Sequence, residues 1–587
     1  MRLKTRMLPI LILAGACLAA IAPFLWWGSP SGHDFEFHMY SWMEVLGQWK
    51  LGVVYPSWAA LAHWGYGEAR FIFYPPASWT LGATLGAILP WRAVPGAYCW
   101  IALLLAGVAM YRLAREWFRP PDALFAAVFY ALNPYSLLVV YWRSAYAELL
   151  AAALLPLLLL CVLRLQRPGP RPILHLSLVL AAAWLTNAPA AVMVHYSLAV
   201  LVWSIAAATA MRNRSWGTDV WRPLVRGAIA VVVGAGLASF YLIPAIYEQG
   251  WINLAQVLSP GVRPQDNFLF TTIADADHNR FNLLISIVAL AEIAALGFVT
   301  WFSLRRVGPH SANHSNQIQV IANSSPKSHH QNLDLRSYWM PLAVWGSACA
   351  FVMFPLSHVL WGDLPKFRFV QLPFRWLLCM NVALVLLAVI AIRRWWTRAF
   401  ACVALLTVLV IAGYRIQPPW WDTGDDIREL SDTMTDGSGY EGTDEYVPAA
   451  ADPYELNKAL PRISRAGVAE ADATILTWAP TEKHMRIHAP APQNLTIRLF
   501  DYPAWQVQVN GRTVASRKTR VTGLIVVPIE GGDNDIRIAF RRTGDRLAGT
   551  LVSLFSLLGF VVAWFQRAWR RRLASDMDEK VIENAAA

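Results

Sequence analysis

The sequence predicts a polytopic α-helical membrane protein of about twelve transmembrane helices, with an extracytoplasmic β-sandwich domain before the last helix. Three observations carry this expectation. The 587 residues are 56% hydrophobic and only 15% charged, where a soluble protein is roughly 25% charged. Apolar runs of spanning length recur along the chain and alternate with short basic clusters. One long stretch before the last apolar run switches from helical to two-residue periodicity.

The apolar runs lie near 8–28, 94–112, 123–141, 148–164, 172–187, 189–210, 226–246, 281–303, 338–356, 374–392, 399–415 and 547–566. Alternating their direction puts MRLKTR, RLAREWFRPP, RLQRPGPR, MRNRSWGTDVWRPLVR, the loop 305–336, RRWWTR and QRAWRRR on one side, each with at least three basic residues. Short cytoplasmic loops carry such an excess, so both termini are expected in the cytoplasm, with the first run kept as a span rather than cleaved. The net charge of +12 is accounted for by these clusters, and no nucleic-acid partner is expected. Residues 77–91 are too short to span and read as a re-entrant or interfacial segment. The loop 304–336 reads as a solvated linker, its histidines being the alternative metal ligands. All six cysteines lie in or beside apolar runs without metal spacing, as small core residues do.

The expected organisation is a transmembrane domain over 1–416 with a large first outer loop at 29–93, an extracytoplasmic domain over 417–545, a last helix at 546–568 and a cytoplasmic tail at 569–587. The extracytoplasmic domain holds half of the chain's 38 acidic residues. Its second half alternates as half-buried strands do, in TILTWAP, KHMRIHA, NLTIRLF, WQVQVNGRTV, GLIVVPIE and DIRIAF. Asn510–Gly511 is a type I′ hairpin signal.

On the outer side, Asp34 follows the first span and Glu148 opens a later one. Asp34, at the membrane boundary and short of solvent, suits a general base. Glu148 sits where a helix dipole favours a carboxylate. The two could serve an acceptor hydroxyl, a metal or an amine. The alternative is that Asp34 caps a helix and Glu148 pairs with Arg143. WGDLPKFRFVQLPFRWLL places Lys366, Arg368 and Arg375 on the outer side against the charge rule, interleaved with Phe367, Phe369 and Phe374. Cations at headgroup depth suit a lipid-linked phosphate. Contact with the acidic outer domain or with anionic headgroups is the other reading. Trp42, Trp49, Trp58, Trp64 and Trp79, with Tyr55, Tyr66 and Tyr74, form either an interfacial belt or a sugar-stacking platform. His33, His38 and His63 are candidate ligands, but the spacing of His33 and His38 suits no single helical face.

The segments GHDFEFHMYSW, GVVYPSW, GYG, FYPP, SAYAELLAAALLP, VQLPFRWL, YEGTDEYVP and FDYPAWQVQVNGR, in this order over nearly the whole chain, resemble the glycosyltransferase C (GT-C) superfamily. Within it they resemble the bacterial membrane proteins labelled 6-pyruvoyl-tetrahydropterin synthase-related and the YfhO-type lipid-sugar transferases. Nothing resembles the soluble pterin enzyme. The resemblance implies a GT-C-like fold in the bacterial inner membrane and a polyprenyl-phosphate-linked sugar as donor. It also implies an envelope glycan, lipid or protein as acceptor, and an inverting transfer of a hexose or pentose. Asp34 would be the base and Glu148 the second acid. Lys366, Arg368 and Arg375 would balance the leaving phosphate, while His33, His38, Trp42 and Tyr74 would contact sugar or acceptor. Glu36 matches no family position, and the paired-acid pattern is approximate. No cofactor is therefore assigned, a divalent cation staying open. A lipid-linked sugar flippase and a non-catalytic envelope-biosynthesis scaffold are the alternative functions. Mid-membrane ionisable residues and internal repeats would mark the flippase.

Overall fold

The computed structural model describes residues 2–307, 335–465 and 469–586. The histidines of the 304–336 linker fall outside them, apart from the ends of that stretch. Among the described residues, ten helices are long and apolar enough to cross a membrane, from Met7–Trp27 to Gly544–Phe565. The chain is a polytopic helical membrane protein with a β-rich domain near its C-terminus.

Each expected apolar run is helical, but three differ from a continuous span of full length. Arg171–Thr186 has only 16 residues. The run at 338–356 bends by 97° between Tyr338–Phe351 and Pro355–Asp363, because Pro355 cannot continue the preceding hydrogen-bond ladder. The run at 226–246 is likewise divided, into Thr218–Leu237 and Ser239–Tyr247. Leu377–Ala391 is apolar apart from Asn381 and buried on nearly all sides, as a helix at the centre of a bundle must be. The last span is peripheral: Leu554, Phe555 and Leu558 are exposed and suit contact with lipid chains.

The 29–93 loop is itself mostly helical. Phe35–Lys50 buries Phe35, Met39, Trp42 and Val45, and residues 76–88 form a 13-residue helix packed against it. Residues 417–460 weld this loop to its neighbours. Ser29–Pro30 pairs antiparallel with Trp421–Asp422, Tyr440 stacks on Tyr40 with centroids 4.3 Å apart, and Ala62 bridges to Tyr440. The helix Gly424–Asp436 starts at a capping box made by Thr423 and Asp426.

Beyond Ile463 the chain forms two five-stranded antiparallel sheets. One runs in the order Arg517–Lys518, Leu524–Ile529, Gln493–Phe500, Ile463–Arg465, Ala469–Glu470. The other runs Ala473–Ala479, Glu482–Ala489, Gly532–Phe540, Trp505–Val509, Arg512–Val514. Alternate residues (Met485, Ile487; Leu495, Ile497; Ile536, Ile538) turn inward to a shared core, as the two-residue pleat requires. Asn510 and Gly511 both take positive φ, 53° and 77°, closing the expected type I′ hairpin.

Candidate active site at the outer loop

Two loops meet at Asp34. It occupies the N-cap position of Phe35–Lys50 without using its carboxylate as a cap. Its backbone N–H donates to the Arg143 carbonyl at 3.0 Å. Two residues earlier, the Gly32 N–H donates to Ser144 Oγ at 2.9 Å, and that hydroxyl donates to the Pro30 carbonyl at 2.8 Å. The opposing loop is irregular: Val139–Arg143 is a π-helical turn and Ser144 is left-handed, with φ 49°. Such turns cluster at functional sites because they re-aim side chains at a cost in regular hydrogen bonding. The approach needs glycine at position 32, where a Cβ would lie 2.3 Å from the Trp142 carbonyl oxygen.

Behind Asp34 lies a buried ion cluster. Arg143 Nη2 is 3.9 Å from Asp34 Oδ2, while Arg143 Nη1 donates to Glu148 Oε2 at 2.6 Å. Arg375 Nε donates to the same oxygen at 3.0 Å, and the Tyr135 hydroxyl donates to Glu148 Oε1 at 2.5 Å. Arg375 Nη1 is further engaged by the Val370 carbonyl at 2.7 Å and Gln371 Oε1 at 3.2 Å. The Glu148 side chain is 1% exposed and that of Asp34 is 40% exposed. The two carboxylates therefore differ in kind. Asp34 is open to a ligand, whereas Glu148 is enclosed by its three partners.

Several expected roles need correction. Glu148 is not available to a metal, an amine or an acceptor, since both its oxygens are taken. Asp34 is half-exposed rather than short of solvent. Trp42 is fully buried, stacked on Tyr98 at 5.0 Å, so no sugar reaches its face. His38 is equally buried among Trp42, Tyr74 and Tyr146. Burial holds its pKa down at about 4 against the pull of the Asp34 charge. Trp58 and Trp79 are core residues too, which removes them from both the belt and the platform.

Other expected residues do reach the site's rim. His33 is exposed beside Asp34, edge-on to Phe281 at 4.4 Å. Tyr74 is half-buried, 4.8 Å from Phe37, and burial together with the Asp34 charge raises its hydroxyl pKa. The three outer cations split into two groups. Lys366 and Arg368 are exposed, lying 5.0 and 5.5 Å over the Phe369 ring, while Arg375 turns inward to Glu148. Lys366 and Gln371 frame this turn with positive φ values of 59° and 63°.

A second buried network adjoins the first, unforeseen in the sequence. Glu68 binds Arg70 Nε at 2.5 Å, His63 Nε2 at 3.0 Å and the Thr443 N–H at 2.7 Å, and Arg70 reaches Ser41 Oγ at 2.9 Å. It ties the 29–93 loop to Thr443, two residues before Glu445, whose pKa burial raises, with the Glu68 and Asp34 charges adding to it. Glu292 was unforeseen as well. Buried inside the helix Ala276–Val307, it accepts from the Tyr135 N–H at 3.0 Å and Asn381 Nδ2 at 2.9 Å. Its signal was a lone acid in an apolar run.

Among the described residues, no three His, Cys, Asp or Glu side chains come together as metal ligands. The ionic neighbour of Asp34 is the Arg143 guanidinium, so this donor set does not fit a divalent cation.

No protein-family model and no curated protein matches the chain. Among solved structures it is similar to the arabinofuranosyltransferase AftD from Mycobacteria (14% identity, 73% of this chain and 27% of that one, TM-score 0.37). It is also similar to ArnT from Cupriavidus metallidurans bound to undecaprenyl phosphate (12%, 74% and 76%, 0.36). A third is the Archaeoglobus fulgidus oligosaccharyltransferase AglB (13%, 74% and 56%, 0.37). The chain thus spans 27% of the first and 56% of the third. Likeness at these values assigns no residue a role.

Proposed function

We propose that this chain is a membrane glycosyltransferase moving a sugar from a polyprenyl-phosphate donor to an envelope glycan, lipid or protein. The reaction faces the extracytoplasmic side of the bacterial inner membrane, with both termini in the cytoplasm. The observation that carries the reading is the pairing of a half-exposed Asp34, pinned through its own backbone, with the buried Arg143–Glu148–Arg375 cluster behind it. In this reading Asp34 takes the proton of the acceptor hydroxyl as its oxygen bonds the anomeric carbon. The bond from that carbon to the phosphate oxygen breaks, and the lipid phosphate leaves with the electron pair. Lys366 and Arg368 receive the phosphate charge, and the attack inverts the anomeric centre. Glu148 positions Arg143 and Arg375 and does not touch the reacting atoms.

One observation favours a second reading, translocation of a lipid-linked sugar. Glu292 is an acid inside a span held only by neutral donors, and such residues mark transport paths. The two are separated in nanodiscs and sealed vesicles with radiolabelled polyprenyl-phosphate sugars and an envelope extract. Label moving to an acceptor, with Glu292→Gln still active, supports the transferase. Label crossing the bilayer unchanged, and lost in Glu292→Gln, supports the translocator instead.

A further inference from the structure

A cavity of about 560 Å³ opens in the outer region, away from Asp34. Its walls are the second half of Phe35–Lys50, the helix Gly424–Asp436 and the edge of the β-sandwich around 478–483. From Asp34 to Glu44, on its wall, the helix advances about 15 Å at roughly 1.5 Å per residue.

The lining combines indole rings with cations. Trp64, Trp91 and Trp478 line it together with Arg462, Lys483 and Arg498. One carboxylate, Glu44, also lies on the wall, but its oxygens already accept from the Tyr440 hydroxyl at 2.7 Å and from the Ala60 and Leu61 N–H groups. The cations are less well served. Lys483 is buried, its ammonium 5.3 Å over the Trp478 ring and 5.7 Å over the Trp505 ring, and among the described residues it makes one hydrogen bond, to the Ala479 carbonyl, although it carries three donors. Burial pushes its pKa down to about 7, against the Glu44 charge and with the Arg462 charge. Arg498 donates through Nη1 to the Leu460 carbonyl at 3.1 Å and through Nη2 to the Trp64 carbonyl, but its Nε is buried without a partner among the described residues. Buried donors left open in this way are costly unless something accepts from them.

The aromatic side is held in place at a cost as well. His63 and Trp64 are consecutive left-handed residues, with φ of 50° and 55°, a conformation that disfavours side chains bearing a Cβ. Trp64 N–H donates to the Tyr440 carbonyl at 3.0 Å. Lys458 Nζ covers its ring at 3.7 Å and Arg462 lies 5.6 Å over Trp478, so these two rings are paired with cations.

We propose that this cavity is an acceptor subsite for an anionic saccharide: indole faces take the pyranose C–H surface, and Arg462, Lys483 and Arg498 take its acid group. This rests on the transferase reading and names the acceptor's chemistry as an acidic glycan. An anion supplies the acceptor that the open donors lack, and charge-assisted bonds of this kind are the strong ones.

The test is binding rather than turnover, so it stands apart from the transferase assay. The full chain in nanodiscs is titrated with trigalacturonate and with neutral maltotriose, read by saturation-transfer NMR. Trigalacturonate is expected to bind at least about tenfold more tightly, and added salt should weaken it. Arg462→Gln, at an exposed position where folding is safe, should weaken it by about tenfold, as should Trp64→Ala. Asp34→Asn should bind it as wild type does. Equal binding of the two sugars, or undiminished trigalacturonate binding in Arg462→Gln, would overturn the proposal.

Discussion

Two carboxylates face one guanidinium at the outer loop, and their surroundings give them different work. Glu148 is dry and fully engaged, so its charge is the counter-ion that lets Arg143 and Arg375 be buried. Glu148→Gln removes the counter-ion of Arg375 and leaves Arg143 only its 3.9 Å contact with Asp34, and the expected loss is about 3–5 kcal/mol, read as a fall in Tm together with lost transfer. His38 supplies a pH-dependent effect. The unfolded chain binds its proton near pH 6.5, the fold only near 4, because burial disfavours the charged ring despite Asp34, and Arg70 adds to the shift. Between those values the unfolded state holds more protons, so stability falls as pH drops from 6.5 toward 4. His38→Phe should lose less Tm than wild type across that window, and parallel losses would contradict the buried neutral ring. Sequence reasoning reached Asp34, Arg143, Glu148 and Arg375 because charge is rare at the membrane boundary. It misassigned Trp42 and His38, since neither residue type nor position tells whether a ring faces a ligand or a helix.

At the scale of elements, the strands of the β-sandwich were readable because alternation is a local property, and the Asn510–Gly511 turn is fixed by its own two residues. The segment 417–460 was not readable as a partner of the first loop. It docks through backbone pairing at Ser29–Pro30 and Ala62 and through single rings such as Tyr440, none of which leaves a periodic trace. The bend at Pro355 was missed because apolar residues continue through it. The junction of the 29–34 and 139–144 loops depends on one backbone approach. Gly32→Ala is expected to push the loops apart, since its Cβ would meet the Trp142 carbonyl. Transfer should fall by at least about tenfold while Tm drops by less than in Glu148→Gln, as a small misplacement costs rate steeply. Wild-type activity in this variant would detach the loop junction from catalysis.

The whole molecule is held together by a clamp between its parts. Glu248, buried after the helix Ser239–Tyr247, accepts from Arg546 at 2.7 and 2.8 Å and from the Tyr502 hydroxyl at 2.5 Å. It therefore joins the helical region, the β-sandwich and the last helix at one carboxylate. Glu248→Ala strands Arg546, so a loss of about 3–5 kcal/mol is expected, with faster amide hydrogen exchange across 493–540. Exchange confined to the mutated loop would show that the sandwich is anchored elsewhere. In the proposed reading this clamp holds the β-sandwich against the spans, with Asp34 on the 29–93 loop acting as the base. The central claim is that Asp34 is that base. Its most direct test compares wild type and Asp34→Asn in nanodiscs at matched Tm, following label from a polyprenyl-phosphate sugar into acceptor. Loss of transfer by about 10²–10⁴-fold with donor binding intact is the result this account predicts. Transfer at the wild-type rate in Asp34→Asn would contradict it.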